Sequence, residues 1–218
     1  MKSESLVSAV LFDFGGVITA SPFEAFARYE AEMGVPTDSI RKINSTNPNN
    51  NAWAKMERSE VTLKEFCDLF EKEAQAFGLE LSGERVLGCL SGDVRPQMVR
   101  ALEILKERVT IGCITNNMKS GHGSGMSRTA DQAAVIADIM QMFEVVVESA
   151  KVGVRKPDPR IYEMACNELN VNPSECAYLD DLGINCKPAA ELGMTAIKVV
   201  SPEQALEDLE NVVGFSLR

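Results

Sequence analysis

The sequence predicts an α/β fold: a parallel sheet covered by helices on both faces, a Rossmann-like three-layer core, interrupted by an inserted helical cap. Three observations carry this expectation. Five short apolar runs, at 6–12, 109–114, 143–147, 177–179 and 195–200, are distributed along the 218 residues, and most are rich in Val and Ile. Helix-like segments separate the later four, and strands alternating with helices build parallel sheets. The stretch between the first two runs is too long for one crossover helix and carries helix signals of its own.

Taken in order, the run at 6–12 ends in Asp13. It is far shorter than the roughly 18 apolar residues of a membrane span and has no small-residue cleavage site after it, so it reads as a buried strand. Ser21-Pro22-Phe23-Glu24 has the pattern of a capping box with Pro at the first helical position, predicting a helix to Met33. Pro48-Asn49-Asn50-Asn51 reads as a surface turn, with a polar binding loop as the alternative. Thr62-Leu63-Lys64-Glu65 is a second capping box. It opens an amphipathic helix with Phe66, Leu69, Phe70 and Phe77 on one side, stopped by Gly78. Ser82 starts a shorter helix ending near Ser91-Gly92. These signals place the cap at 18–92 and the core at 1–17 and 93–218, with a helix at 96–108 returning the chain to the sheet.

Composition narrows the function. Hydrophobic residues make up 45% and charged residues 25% of the chain, enough apolar material for a core without covalent staples. A net charge of −10, spread without long runs, disfavours broad binding to nucleic acid or anionic membranes while leaving room for a local phosphate pocket. The six cysteines (67, 89, 113, 166, 176, 186) form no CxxC pair and no metal-ligand spacing. They read as reduced, packed thiols of a cytoplasmic protein.

Four segments carry candidate chemistry. Leu11-Phe12-Asp13-Phe14-Gly15-Gly16-Val17 puts a carboxylate at a strand's end, followed by glycines that let backbone approach a ligand. Ile111-Gly112-Cys113-Ile114-Thr115-Asn116-Asn117 ends another strand in a hydroxyl and amides suited to phosphate oxygens. Arg155-Lys156-Pro157-Asp158-Pro159 offers a lysine in a stiff loop, with Asp158 as a helix cap. Tyr178-Leu179-Asp180-Asp181-Leu182-Gly183 ends a strand in two adjacent carboxylates, a costly pairing unless a cation or proton neutralises them. Hard oxygen ligands of this kind suit Mg²⁺. Each segment alone can be a turn, a cap or a surface charge. Together they supply the parts of phosphoryl transfer at the C-terminal ends of parallel strands, where such sheets bind ligands.

As a set, Asp13, Thr115, Lys156 and Asp180-Asp181 resemble the motifs of the haloacid dehalogenase superfamily, over nearly the whole chain. The stretches FEVVVESAKVGVRKPDPRIY and YLDDLGINCKPAAELGMTAI are similar to the N-terminal phosphatase domain of soluble epoxide hydrolases and to related domains fused to acyl-CoA dehydrogenases. The resemblance implies a Mg²⁺-dependent phosphatase acting on a phosphorylated small molecule. Asp13 would be the nucleophile, forming an aspartyl phosphate. Mg²⁺ would be held by Asp13, the Gly15 carbonyl and Asp180, with Asp181 supporting through water. Thr115, Asn116 and Lys156 would bind the phosphoryl group, and Asn185 would orient the acidic loop.

One departure stands out: the family's second aspartate, its general acid/base, falls at Gly15. Its loss costs roughly 10²–10⁴ in rate. Thr19 and His122, in the glycine-rich stretch 119–125, are the nearby residues to weigh as substitutes, a solvated loop being the plainer reading of the latter. A haloacid dehalogenase would also lack the second aspartate, but its pattern has no metal and no Asp-Asp pair. A non-catalytic phosphate-ligand-binding domain is the third reading. Trp53 and Met56 are expected to pack within the cap, with its substrate-facing surface as the alternative, and Arg28, Lys42, Lys55 and Arg58 to be solvated helix charges with anion steering as the alternative.

Overall fold

The computed structural model describes residues 7–117 and 130–218. After β1 (Ala9–Phe12) come α1 (Pro22–Met33), α2 (Ser39–Ser45), α3 (Ala52–Glu57), α4 (Leu63–Ala76) and α5 (Gly83–Gly88). Then follow α6 (Pro96–Leu105), β2 (Thr110–Thr115), α7 (Ala130–Met140), β3 (Val145–Glu148), α8 (Ser149–Val152) and α9 (Pro159–Leu169). The chain closes with β4 (Cys176–Asp180), α10 (Gly183–Glu191), β5 (Thr195–Lys198) and α11 (Pro202–Val213). The strands pair in the order β3-β2-β1-β4-β5, all parallel.

Both sheet faces are covered, which is why the strands read as continuous apolar runs rather than alternating ones. Val10 and Phe12 join Met98, Leu102 and Leu105 of α6 and Leu206 and Leu209 of α11 in one core cluster. Ala9 and Leu11, pointing the other way as the period of two requires, join Ile161, Tyr162 and Ala165 of α9. The helices α1–α5 bury a third cluster of their own, around Phe26, Ile40, Ile43, Met56, Phe66, Phe70 and Val86. No helix among the described residues is long and apolar enough to cross a membrane.

Register positions the chemistry. Phe12, the last residue of β1, lies opposite Cys113 of β2 and Leu179 of β4. Asp13 therefore leaves the sheet opposite Ile114, one residue before Thr115, on one side and Asp180 on the other. The N–H of Asp13 still bonds Leu179 O at 2.8 Å, so its backbone is held to the last rung of the ladder.

Several local expectations need correction. The capping box at Thr62 forms in full, but the one at Ser21 does not: Ser21 makes no side-chain cap bond. Its hydroxyl points instead to a carboxylate 160 residues away. Phe77 is 37% exposed, because α4 ends at Ala76 and the chain turns off the buried stripe at Gly78, whose φ is +73°. Asn51 is more than a turn residue. It is buried, caps α3 by accepting the Ala54 N–H, and donates to Asn44 O and Thr46 O. The return helix stops at Leu105 and the helix begun at Ser82 stops at Gly88, each a few residues short of the expected end.

Candidate active site

Asp13 and Asp180 are buried at the C-terminal ends of neighbouring strands, and Lys156 lies between them. Its Nζ is 2.7 Å from Asp13 Oδ1 and 2.8 Å from Asp180 Oδ2. The lysine is 1% exposed. Burial pulls its ammonium down, but Asp13 and Asp180 outweigh that and hold it above the ordinary lysine range. The loop after α8 delivers it, and Asn116 fixes that loop. The Asn116 Oδ1 accepts the Lys156 N–H at 2.9 Å, and its Nδ2 donates to the Lys156 carbonyl at 3.1 Å. An amide side chain at the end of β2 thus clamps both backbone polar groups of the lysine.

The Asp13 Oδ1 also accepts the Phe14 N–H at 2.7 Å, while Oδ2 takes no hydrogen bond among the described residues. Burial pushes the Asp13 carboxyl up to about 8, Lys156 opposing and Asp180 and Asp181 adding to the rise. The acidic pair divides sharply by environment. Asp180 is fully buried and accepts from Lys156, Tyr178 OH, the Leu182 N–H and Asn185 Nδ2. Asn185 spans both its oxygens at 3.1 Å. Asp181 is only partly buried and its side chain meets Ser21 Oγ at 2.9 Å. Burial, then Asp180, raise the Asp181 carboxyl, with Ser21 opposing.

One carboxylate oxygen from each of Asp13, Asp180 and Asp181 lies within 4.8 Å of the others. Three carboxylates against one ammonium, presenting hard oxygens at this spacing, fit a divalent cation such as Mg²⁺. The turn after β1 is shaped around them. Gly16 has φ +80°, and a Cβ there would sit 2.2 Å from Asp181 Oδ2. The Gly16 carbonyl accepts from Arg95 Nη1 at 2.9 Å. Gly15 faces the opposite situation: a Cβ there meets nothing within 4 Å.

Thr115 is buried at the end of β2. Thr19 does not substitute for an acid: it is 4% exposed, its hydroxyl reaches Ala20 O, and its backbone bridges to Val94. His122 and the glycine-rich stretch lie outside the described residues. Met56 is buried in the helical layer beside Trp53, which packs edge-on against Phe66 with ring centroids 5.0 Å apart. Arg58 is spent on Glu60. Sequence reasoning missed Ser21, Tyr178 and Arg95 as parts of this site. It also missed Glu57, carried by α3, whose Oε2 lies 2.5 Å from Arg155 Nε.

The haloacid dehalogenase-like hydrolase family matches residues 7–193. Over 96% of its length the chain is 32% identical to acyl-CoA dehydrogenase family member 10 of Mus musculus and 27% identical to bifunctional epoxide hydrolase 2 of Sus scrofa. It spans only 19% and 39% of those two proteins. Over 75% of its length it is 26% identical to validoxylamine A 7'-phosphate phosphatase of Streptomyces hygroscopicus subsp. limoneus, of which it spans 83%. Among solved structures, a dehalogenase with an intermediate complex aligns with TM-score 0.67, 17% identity and 97% and 98% coverage of the two chains. A Bacteroides thetaiotaomicron enzyme of the family, in complex with magnesium and inorganic phosphate, aligns with TM-score 0.58, 19% identity and 88% and 93% coverage.

Proposed function

This chain belongs to the haloacid dehalogenase-like hydrolases, and on that premise we propose that it is a Mg²⁺-dependent phosphatase acting on a phosphorylated small molecule. The observation that carries the reading is the buried Asp13–Lys156–Asp180 array with Asp181 beside it. The nucleophile is Asp13. With Oδ1 occupied by Phe14 and Lys156, Oδ2 is the oxygen left to attack phosphorus. The P–O bond to the leaving group breaks as the aspartyl phosphate forms, and water then cleaves the acyl phosphate to release phosphate and Asp13. Thr115, the Asn116 backbone and Lys156 bind the phosphoryl oxygens, the lysine supplying the fixed positive charge.

Asp13, the Gly15 carbonyl, Asp181 and Asp180 are the groups that would hold the cation. When bound, Mg²⁺ neutralises phosphoryl charge and lowers repulsion among the carboxylates. The hydrogen-bond map supports a division of labour opposite to the one the resemblance implies. Asp180 is saturated by four donor groups and serves as the anchor of Lys156, whereas Asp181, whose side chain meets Ser21 alone among the described residues, would be the carboxylate that faces the cation. Residues 18–92 act as the cap over this site and set the substrate.

Gly15 leaves the departing oxygen without the family's proton donor. Acidic leaving groups tolerate this and simple alcohols do not, so aryl, acyl and anomeric sugar phosphates are the favoured substrate classes. The test is phosphate release from a series of esters, with and without Mg²⁺. Release that needs Mg²⁺ and climbs with leaving-group acidity is the expected result. Halide release from 2-haloacids with no phosphate release from any ester would overturn the reading.

A further inference from the structure

Among the described residues the Lys156 ammonium pairs with Asp13 and Asp180 and lies 5.9 Å from the centre of the Tyr178 ring, so where it sits depends on where its backbone is held. The holder is partly outside the sheet. Asn116 clamps the Lys156 N–H and carbonyl, and its Nδ2 also reaches Glu57 Oε2 at 3.5 Å. The same Oε2 is 2.5 Å from Nε of Arg155, the residue before the lysine. That contact is close but off the N–H direction, so it is a charge contact rather than an aligned hydrogen bond. Arg155 in turn donates through Nη1 to Pro48 O at 2.8 Å. Around this point α3 is seated on α8, which follows β3 directly. The Glu57 carbonyl accepts from Ser149 Oγ at 2.8 Å, and Ser59 Oγ donates to Ala150 O at 3.2 Å. The Glu57 and Arg155 side chains are 17% and 21% exposed, so neither is a solvated surface charge.

We propose that Glu57 is a positioning residue for Lys156. Its carboxylate, carried by α3, fixes the backbone of residues 155–156 through Arg155 and Asn116, so the lysine is aimed between Asp13 and Asp180 only while the helical layer is seated. One oxygen governs both the residue before the lysine and the amide that clamps the lysine, which ties the cap's position to the geometry of the phosphoryl pocket. The kinetic side of this proposal rests on the phosphatase reading; the structural side does not.

The experiment uses the full chain as wild type, Glu57→Ala, Glu57→Gln, Arg155→Ala, Arg155→Lys and the Glu57→Ala/Arg155→Ala double variant. Without ligand, amide exchange at Lys156 should rise by about tenfold in Glu57→Ala, with the β4 amides unchanged. With para-nitrophenyl phosphate and Mg²⁺, each Ala variant should lose about ten- to a hundredfold in kcat, with KM moving less, because the misplacement is felt in the transition state. The double variant should be no worse than the poorer single one, Arg155→Lys should recover part of the loss, and the kcat–pH profile should keep its shape in Glu57→Gln. Unchanged exchange at Lys156, or additive losses in the double variant, would overturn the proposal. So would the loss of one limb of the pH profile in Glu57→Gln, which would make Glu57 a proton donor. A wild type that releases no phosphate defeats the phosphatase reading and leaves the exchange measurement to decide the positioning role. If Glu57→Ala fails to fold, Glu57→Gln and Arg155→Ala carry the same comparison.

Discussion

In the helical layer Glu30 turns its two oxygens onto the backbone N–H groups of Asp38 and Ile40, whereas at the end of the sheet Asp13 and Asp180 share one lysine with Asp181 close beside them. Glu71 and Glu73 follow Glu30, accepting the N–H of Gly83 at the start of α5 and of Ala52 at the start of α3. Helix N-termini leave unpaired N–H groups with partial positive charge, so these glutamates find their neutralising partners in the chain itself. The carboxylates at the sheet do so only in part. With three acids and one ammonium, that cluster is short of positive charge unless a cation enters or a proton stays. Acids that build the fold are satisfied from within, and acids that serve chemistry are left partly unsatisfied.

Removing the carboxylate of Asp13, the proposed nucleophile, should break this contrast most visibly. Asp13→Asn keeps the acceptor that Phe14 and Lys156 use, so the fold should survive while turnover drops by at least about 10³-fold. Phosphate release and far-UV circular dichroism together check this, and a folded variant with wild-type turnover would remove Asp13 from the mechanism.

The next largest effect concerns the cation. Mg²⁺ at a hundred times its Kd should stabilise the native protein by about 2.7 kcal/mol, read as a rise in Tm by calorimetry. Asp181→Asn should abolish most of that rise at little cost to the metal-free protein. Asp180→Asn should instead destabilise the metal-free protein by roughly 3–5 kcal/mol, because a carboxamide has one acceptor oxygen and cannot take all four donor groups that the Asp180 carboxylate accepts on two. If the two variants behave the other way round, Asp180 is the direct ligand and Asp181 the support.

A smaller change is expected at Gly15. A Cβ at Gly15 meets nothing within 4 Å, whereas a Cβ at Gly16 collides with Asp181, so Gly15 is the position of the two that accepts a side chain. Gly15→Asp should raise kcat/KM for simple alkyl phosphates by roughly tenfold or more, toward the share a general acid contributes, and should change aryl phosphates little. Equal gains on both ester classes would show that the new carboxylate acts as an extra ligand rather than as a proton donor.

These assignments also show what the linear sequence encodes. Asp13, Thr115 and Asp180 could be found because each ends an apolar run, and a parallel sheet brings such ends to one edge. Thr62 could be read because a capping box is local, both partners lying within one turn. Ser21 carries the same local pattern and was misread, since its hydroxyl is claimed by Asp181 from across the fold. Glu57 and Arg155 were invisible for the same reason: no spacing rule links residues 98 positions apart that meet only when α3 is seated on α8. Tyr178 was hidden by its type, an aromatic in a strand, although its hydroxyl turns back to Asp180 two residues on.

The smallest prediction tests the helical side of the comparison through pH. Glu73 is the least satisfied of its three structural acids: Oε1 accepts the Ala52 N–H at 2.8 Å, but Oε2 is buried with no partner among the described residues. Burial therefore holds its carboxyl above 4.5, with the Ala52 bond and Lys55 opposing. The sign follows from linkage. An acid whose folded pKa is raised binds its proton more tightly in the native state, so stability falls as pH climbs from 4.5 through the folded value and is level above it. Gln keeps the acceptor for Ala52 and cannot ionise. The Tm difference between Glu73→Gln and wild type should accordingly be near zero at about pH 4 and turn progressively in the variant's favour toward about pH 7. Calorimetry across that range reads it directly. A difference that stays constant with pH would mean that Glu73 is as well satisfied as Glu30, and the contrast between the two regions would then rest on the sheet alone.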